Sequence, residues 1–278
     1  MSIFRFKKFV VINEQSAMKV NTDGVLLGAV MAILPSDRRI LDIGTGTGTI
    51  ALMVAQRLTD CSGDISGVSG RNIDLCSCGA DHAGNASDRE IAIHAIDIDG
   101  PSVVEATENF RNSPWSGILH AHHASLEEFA ADLQTELSVS AQQAAGTFDL
   151  IFSNPPYFDN DLQAPEQRRN AARHTTTGLS YREVLDFAAK HLAETGRVAM
   201  VLPAAAEYDL VRHARMNGLH LYSITRIRTV PRKASKLIIA EFGKCRTETP
   251  RDTILTIQNE GQYTQEYLSL TKDFYLFA

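Results

Sequence analysis

From Arg39 to Phe242, short apolar runs alternate with longer amphipathic segments, and no other feature of the chain constrains its fold so tightly. Strands that are apolar along their length need helices over both faces, and strands separated by helices pair in parallel. The pattern therefore predicts an α/β protein built on a doubly wound, mostly parallel sheet. The expected strands are Arg39–Ile43, Ile91–Ile96, Ile118–His122, Thr147–Phe152, Arg197–Leu202, Leu219–Ile227 and Lys236–Phe242. Helices are expected over Thr47–Leu58, Pro101–Arg111, Leu126–Leu137, Ser180–His191 and Ala205–Asn217. Pro101 suits a first helical turn, and Ser180 followed by Glu183 has the spacing of a capping box. Ahead of the sheet, Phe4–Val20 alternates apolar and polar residues like a hairpin and Thr22–Leu34 reads as an apolar helix. Residues 1–36 thus form an N-terminal extension and 37–278 the main domain, in which Asp60–Glu90, rich in Gly, Ser, Asp and Asn, reads as an inserted flexible loop.

Composition narrows the class. The 278 residues are 44% hydrophobic and 22% charged, as in ordinary soluble proteins. The longest apolar stretch, Gly24–Leu34, is well short of the ~20 residues of a membrane crossing, and the apolar tract after Lys7-Lys8 is too short for a signal peptide, so a cytoplasmic protein is expected. The four cysteines, Cys61, Cys76, Cys78 and Cys245, are too few to build a disulfide scaffold. Three of them lie near His82, but their spacing matches no paired zinc knuckle, and no metal site is expected. His120, His122 and His123 share a strand, where alternation sends His123 to the opposite face. With a net charge of -6, a nucleic-acid partner would have to be met by local basic clusters. Three exist: Arg5, Lys7 and Lys8; Arg168, Arg169 and Arg173; and Arg226, Arg228, Arg232, Lys233 and Lys236. The second follows the reaction motif described below and is the preferred RNA-binding candidate.

The segment Leu41-Asp42-Ile43-Gly44-Thr45-Gly46-Thr47-Gly48 ends a strand with a carboxylate and then turns on glycines that let backbone N–H groups approach a ligand. Thr49 stands where a dinucleotide site would carry its third glycine, which disfavours a pyrophosphate cradle and argues for a different adenosine-like ligand. The next strand ends in Asp97-Ile98-Asp99; Asp97 is placed to bind ribose hydroxyls, and Asp99 to face solvent or cap a helix. Loop, acidic strand end and element order together resemble the class I S-adenosylmethionine-dependent methyltransferases. The resemblance implies a Rossmann-like seven-stranded sheet. Asp42, Gly44, Gly46 and Gly48 would surround the cofactor's amino acid part, Asp97 its ribose, and Ser125-Leu126 its adenine, Ser125 replacing the Asp of many relatives.

After the fourth strand comes Ser153-Asn154-Pro155-Pro156-Tyr157. Two prolines cannot continue a strand and fix the backbone, so the Asn154 side-chain oxygen and the Pro155 carbonyl become oriented acceptors. An exocyclic amine is a poor nucleophile because its lone pair is delocalised into the ring. Bonding both its hydrogens favours a pyramidal nitrogen aimed at a sulfonium methyl. Tyr157 can stack on the base, and Pro156 holds the turn. The N-P-P-Y motif resembles that of methyltransferases acting on adenine N6, guanine N2 or glutamine N5, and by itself does not choose among them.

The N-terminal segment does choose. Phe4-x-Phe6-Lys7-x-Phe9 and Ser16-Ala17-Met18-Lys19-Val20-Asn21-Thr22-Asp23-Gly24-Val25-Leu26-Leu27-Gly28-Ala29 resemble the opening of the bacterial tRNA1(Val) adenine-N6 methyltransferase family, and Ala172-Arg173-His174 and Glu241-Phe242 continue the match. Ser16 and Asn21 depart from residues often found there, Cys and Gly. The resemblance implies S-adenosylmethionine as cofactor, a valine tRNA as substrate, methylation of the adenine 3′ of the anticodon, and Lys19 and Thr22 closing the cofactor pocket, with no obligate protein partner. A protein-glutamine N5 methyltransferase is the runner-up. A nicotinamide-dependent oxidoreductase or a purely RNA-binding module fits less well.

Overall fold

The computed structural model describes residues 2–16, 18–63, 90–139, 147–156 and 179–277. The chain opens with a short antiparallel pair, β1 (Ile3–Arg5) and β2 (Val10–Ile12), followed by α1 (Thr22–Val30). The sheet then begins with β3 (Arg39–Ile43), α2 (Thr49–Gly63), β4 (Ala92–Asp97), α3 (Gly100–Arg111), β5 (Leu119–His123), α4 (Leu126–Val139) and β6 (Phe148–Ser153). Beyond it come α5 (Tyr181–His191), β7 (Leu192–Pro203), a 3-10 turn at Ala204–Ala206, α6 (Glu207–Met216), β8 (His220–Arg228), β9 (Leu237–Gly243) and β10 (Arg251–Thr256). A two-residue-stranded hairpin, β11 (Gln258–Asn259) and β12 (Gln262–Tyr263), and α7 (Gln265–Thr271) finish the described chain.

The eight strands β3 to β10 form one sheet in the order β10-β8-β9-β7-β6-β3-β4-β5, parallel throughout except for β9, which runs against β7 and β8. All seven strands expected from the sequence lie in it, and β10 adds an eighth beside β8. The chain winds outward from β3 to β5, then crosses back to β6 on the other side of β3, so a crevice opens at the carboxyl ends of β3 and β6.

Alternation along the central strands divides the core in two. Ile40, Leu150, Phe152, Ala199 and Val201 face one way and pack with α1, α2, α3 and the N-terminal pair; Leu41, Ile43, Ile151, Val198 and Met200 face the other way, against α4, α5 and α6. Phe6, Phe9 and Val11 join the first of these layers, so the N-terminal segment shares the sheet's core. Local signals act as their chemistry dictates. Ser180 and Glu183 complete a capping box on α5, and Asp99 caps α3, accepting from the Ser102 amide at 3.0 Å, with Pro101 in the first turn. Helix α1 stops at Val30, four residues short of the expected Leu34, because Met31 turns to extended geometry. At the sheet's opposite edge the buried Arg197 guanidinium pairs with Asp37 and donates to the Ala32 carbonyl, while Glu241 accepts from the Ala32 amide at 2.8 Å and from the Tyr222 hydroxyl at 2.9 Å.

Candidate active site

The glycine loop follows β3 with positive φ at Gly44 (73°), Gly46 (55°) and Gly48 (77°), a left-handed backbone that side chains resist. Gly48 is fixed twice over, since a Cβ there would lie 2.4 Å from the Phe110 ring. The Gly44 and Thr45 amides donate to the Ile96 carbonyl at 2.9 and 3.0 Å, tying the loop across the sheet to the end of β4. Asp97 accepts from the Gly46 amide through Oδ2 (2.8 Å) and from the Asp99 amide through Oδ1 (2.9 Å). A carboxylate has about four acceptor sites, so two backbone bonds leave capacity for hydroxyl donors.

Asp42 is fully buried beneath the loop. Its Oδ2 accepts from the Thr45 hydroxyl at 2.7 Å, and its Oδ1 has no hydrogen-bond partner among the described residues. Burial, helped by the neighbouring charge of Asp97 and opposed by the Thr45 hydroxyl, raises its pKa to about 7.

The wall facing the loop is built by Met18, Lys19, Val20, Asn21, Gly24 and Val25, which with Gly44–Thr47, Thr49, Ile50 and Asn154 line a cleft of about 320 Å3, its open mouth included. Helix α3 holds this wall in place. Glu105, buried on its inner face, accepts from the Glu14 (2.7 Å), Gln15 (2.5 Å) and Ser16 (2.9 Å) amides. One turn on, Asn109 bonds both the Ile12 peptide and the Thr47 carbonyl, joining N-terminal segment, helix and glycine loop. Ser102 links Ser16 to Asp99 through hydroxyl bonds of 2.9 and 2.6 Å. Sequence reasoning passed over Glu105 and Asn109; their i, i+4 spacing beside the apolar Ala106 and Phe110 was the available signal.

Asn154 leaves the end of β6 buried, with Pro155 buried behind it and Pro156 exposed. The Ser153 hydroxyl donates to the Ile43 carbonyl at 2.7 Å, and Asn154 Nδ2 donates to the Met18 thioether at 3.6 Å, so the amide bridges the β6 end and the N-terminal wall. Of the residues singled out from the sequence, Lys19, Gly44, Gly46 and Asn154 line the cleft, while Asp42 lies beneath the loop and Asp97 and Gly48 behind it. Thr22 is exposed in the first turn of α1, and its neighbour Asn21, which caps that helix, lines the cleft in its place. The Lys19 ammonium turns back to the Glu14 carbonyl. Ser125 sits outside the lining, in a reciprocal cap with Glu128: its amide donates to the carboxylate (2.8 Å) and its hydroxyl accepts from the Glu128 amide (3.2 Å). Tyr157, Arg168, Arg169, Arg173, Cys76, Cys78 and His82 lie outside the described residues.

His94, His120 and His122 share one sheet face, with His94 Nδ1 3.1 Å from His122 Nε2, and His123 turns away to the Ile98 carbonyl. Burial, then the neighbouring His122, Arg39 and His120, lowers the His94 pKa to about 4. Among the described residues no three His, Cys, Asp or Glu side chains are grouped to hold a metal ion, and no helix is long and apolar enough to cross a membrane.

The chain matches no protein-family model. Among solved structures it resembles a predicted O-methyltransferase from Agrobacterium tumefaciens, with a TM-score of 0.58 at 14% identity over 91% of this chain and 96% of that one, and its fold is the Rossmann-like class I methyltransferase fold. It is 35% identical over 274 residues to a tRNA1(Val) (adenine(37)-N6)-methyltransferase from Parabacteroides distasonis, covering 98% of this chain and 97% of the relative. A relative of the same description from Flavobacterium psychrophilum is 32% identical over 99% of both chains. A third, from Actinobacillus succinogenes, is 34% identical over 98% of this chain and 97% of its own. With the glycine loop and Asn154 lining one cleft and such identity running nearly end to end, the chain belongs to the tRNA1(Val) (adenine(37)-N6)-methyltransferase family.

Proposed function

We infer that this protein transfers a methyl group from S-adenosylmethionine to the N6 amine of adenine 37 in tRNA1(Val), in the cytoplasm where tRNA is matured. The observation that carries the reading is the position of Asn154, the first residue of N-P-P-Y, in the same cleft as Gly44–Thr47. The donor set fits such a cofactor. An orphaned carboxylate oxygen on Asp42 lies beneath the loop, and at Gly46, where φ is 55°, a side chain would be strained and its Cβ would crowd the Met18 carbonyl at 3.3 Å. Gly44–Thr47 and Asn21 would hold the amino acid part and Asp97 the ribose. When bound, the cofactor supplies an electrophilic methyl on a sulfonium.

The chain's own residues prepare the nucleophile. Asn154, with its amide oriented by Met18 and its backbone by Pro155, accepts a hydrogen bond from the N6 amine, and the Pro155 carbonyl takes the second amine hydrogen. Pyramidalisation localises the nitrogen lone pair, and no strong base is required before attack. From sequence, Tyr157 supplies a stacking face for the base, and Arg168, Arg169 and Arg173 phosphate contacts. The test is incubation with methyl-labelled cofactor and unmodified tRNA1(Val), followed by nucleoside analysis. Label in N6-methyladenosine at position 37 is expected. Label in a release-factor glutamine, or none in RNA, would overturn the assignment.

A further inference from the structure

The sheet topology separates basic residues that the sequence alone groups together. In the first cluster Lys8 is paired with Asp60 and Lys7 is tied to the Lys272 carbonyl. In the third, Arg226 is held by both oxygens of Glu207 and by Asp252, and Arg228 by Thr256 and the Pro231 carbonyl. Arg232, Lys233 and Lys236 are different: they are exposed on the loop joining β8 to β9, and their side chains have no hydrogen-bonding or ionic partner among the described residues.

The direction of β9 decides where that loop lies. Pro203 at the end of β7 is in register with Leu237 at the start of β9, and Ile227 near the end of β8 with the same Leu237. The loop therefore emerges at the edge of the sheet that also carries the glycine loop and Asn154. Lys236 is bound there directly, its carbonyl accepting from the Ala204 amide at 2.8 Å just past β7. Counting from β6, β9 is the second strand over, so the loop starts roughly 10 Å along the edge from Asn154. Three residues past Ala204, α6 begins at the same edge with Glu207, clamped by Arg226, and then Tyr208, 77% exposed although aromatic.

An exposed aromatic ring at the start of α6 and three uncommitted cations, on the same edge of the sheet, are the combination that single-stranded nucleic acid requires, a stacking face for a base and point charges for phosphates. In a protein of net charge -6 it is also a local reversal of sign beside the reaction edge. We propose that Arg232, Lys233 and Lys236 bind backbone phosphates of the single-stranded RNA flanking the target adenine, and that Tyr208 stacks on an unpaired base of that segment. This rests on the reading of the protein as a tRNA methyltransferase and extends it to how the substrate is held.

The experiment measures tRNA1(Val) binding by fluorescence anisotropy across a salt series, separately from methyl transfer. Replacing Arg232, Lys233 and Lys236 together by Ala is expected to weaken binding at least tenfold at low salt and to reduce the magnitude of the log-log salt slope by about 2 to 3. Tyr208→Ala is expected to weaken binding by roughly 5- to 100-fold and leave the slope unchanged. S-adenosylmethionine affinity should be unaltered in both variants, which reports an intact fold. Arg246→Ala, at the opposite end of β9, is the control and should change neither quantity. An unchanged slope in the triple variant, with cofactor binding intact, overturns the proposal. If the slope falls but the wild-type protein does not methylate tRNA, the surface stands and the assigned reaction fails.

Discussion

Asp97 does two things with one carboxylate. It fastens the glycine loop through the Gly46 amide, and on the proposed reading its remaining acceptor capacity takes the ribose hydroxyls. Asp97→Ala should weaken S-adenosylmethionine binding by ~1.5–3 kcal/mol in calorimetry, the range for hydrogen bonds to a charged group. In the proposed mechanism Asn154 acts chiefly in the transition state, so Asn154→Ala should lower turnover by ~10²-fold or more with cofactor affinity nearly unchanged in the same titration. The buried Asp42 and the half-buried His94 give opposite pH signatures. Asp42, raised to about 7, keeps in the fold a proton that an unfolded Asp releases near its model value of 3.8; its stabilisation is complete below that value and lost as pH rises to about 7. His94, lowered to about 4 from 6.5, stabilises above 6.5 and loses that contribution as pH falls toward 4. Between about pH 4 and 6.5 the two nearly cancel. Denaturant melts across this window should therefore show Asp42→Asn gaining stability with rising pH and His94→Gln losing it, each by at most about 1.4 kcal/mol per pH unit. The glycine loop, Asp97 and Asn154 were legible in the sequence because their chemistry is local: strand end, tight turn, proline-fixed strand exit. The orphaned oxygen of Asp42 was not, since burial depends on elements far away in the chain.

Helix α3 organises the site without lining it. Glu105 satisfies three successive backbone amides of the N-terminal segment, and truncation would leave all three without this acceptor, the Ser16 amide in a buried position. Glu105→Ala should cost about 2–4 kcal/mol of unfolding free energy in urea melts and should also weaken S-adenosylmethionine binding, because the wall from Met18 to Val25 hangs from these bonds. Glu105→Gln, which keeps an acceptor oxygen, should recover part of both. Sequence periodicity located this helix to within a residue, and likewise the capping box of α5, because both carry their own start signals. It missed β10. Arg251-Asp252-Thr253-Ile254-Leu255-Thr256 has only two apolar residues and is exposed at three of its six positions, an edge strand set by pairing with β8 and not by an apolar pattern of its own. The hairpin of β11 and β12 was missed for a similar reason: two residues per strand give no period, and only Glu260 and Gly261, both with positive φ, mark its turn.

Across the whole molecule, the N-terminal extension and the sheet share their core, and Arg197, held by Asp37 in the one buried ion pair among the described residues, also donates to the Ala32 carbonyl of the extension. Asp37→Ala would leave the guanidinium buried and unpaired and should destabilise the protein by ~3–5 kcal/mol. Since the same guanidinium bonds the Ala32 carbonyl, fluorescence of Trp115 and far-ultraviolet dichroism should still report one coincident transition, shifted to lower denaturant. Non-coincident transitions would show that the extension melts separately. The clamp on the N-terminal wall has a further consequence for a chain made from its N-terminus. Glu14, Gln15 and Ser16 wait for Glu105, and Met18 waits for Asn154, separations of about ninety residues and of 136 residues. The first wall of the cleft to leave the ribosome is thus secured only after the other parts of the cleft have been made. A nascent chain carrying the entire glycine loop has no closed cleft until translation has passed Asn154, so the site cannot be completed in the first half of synthesis.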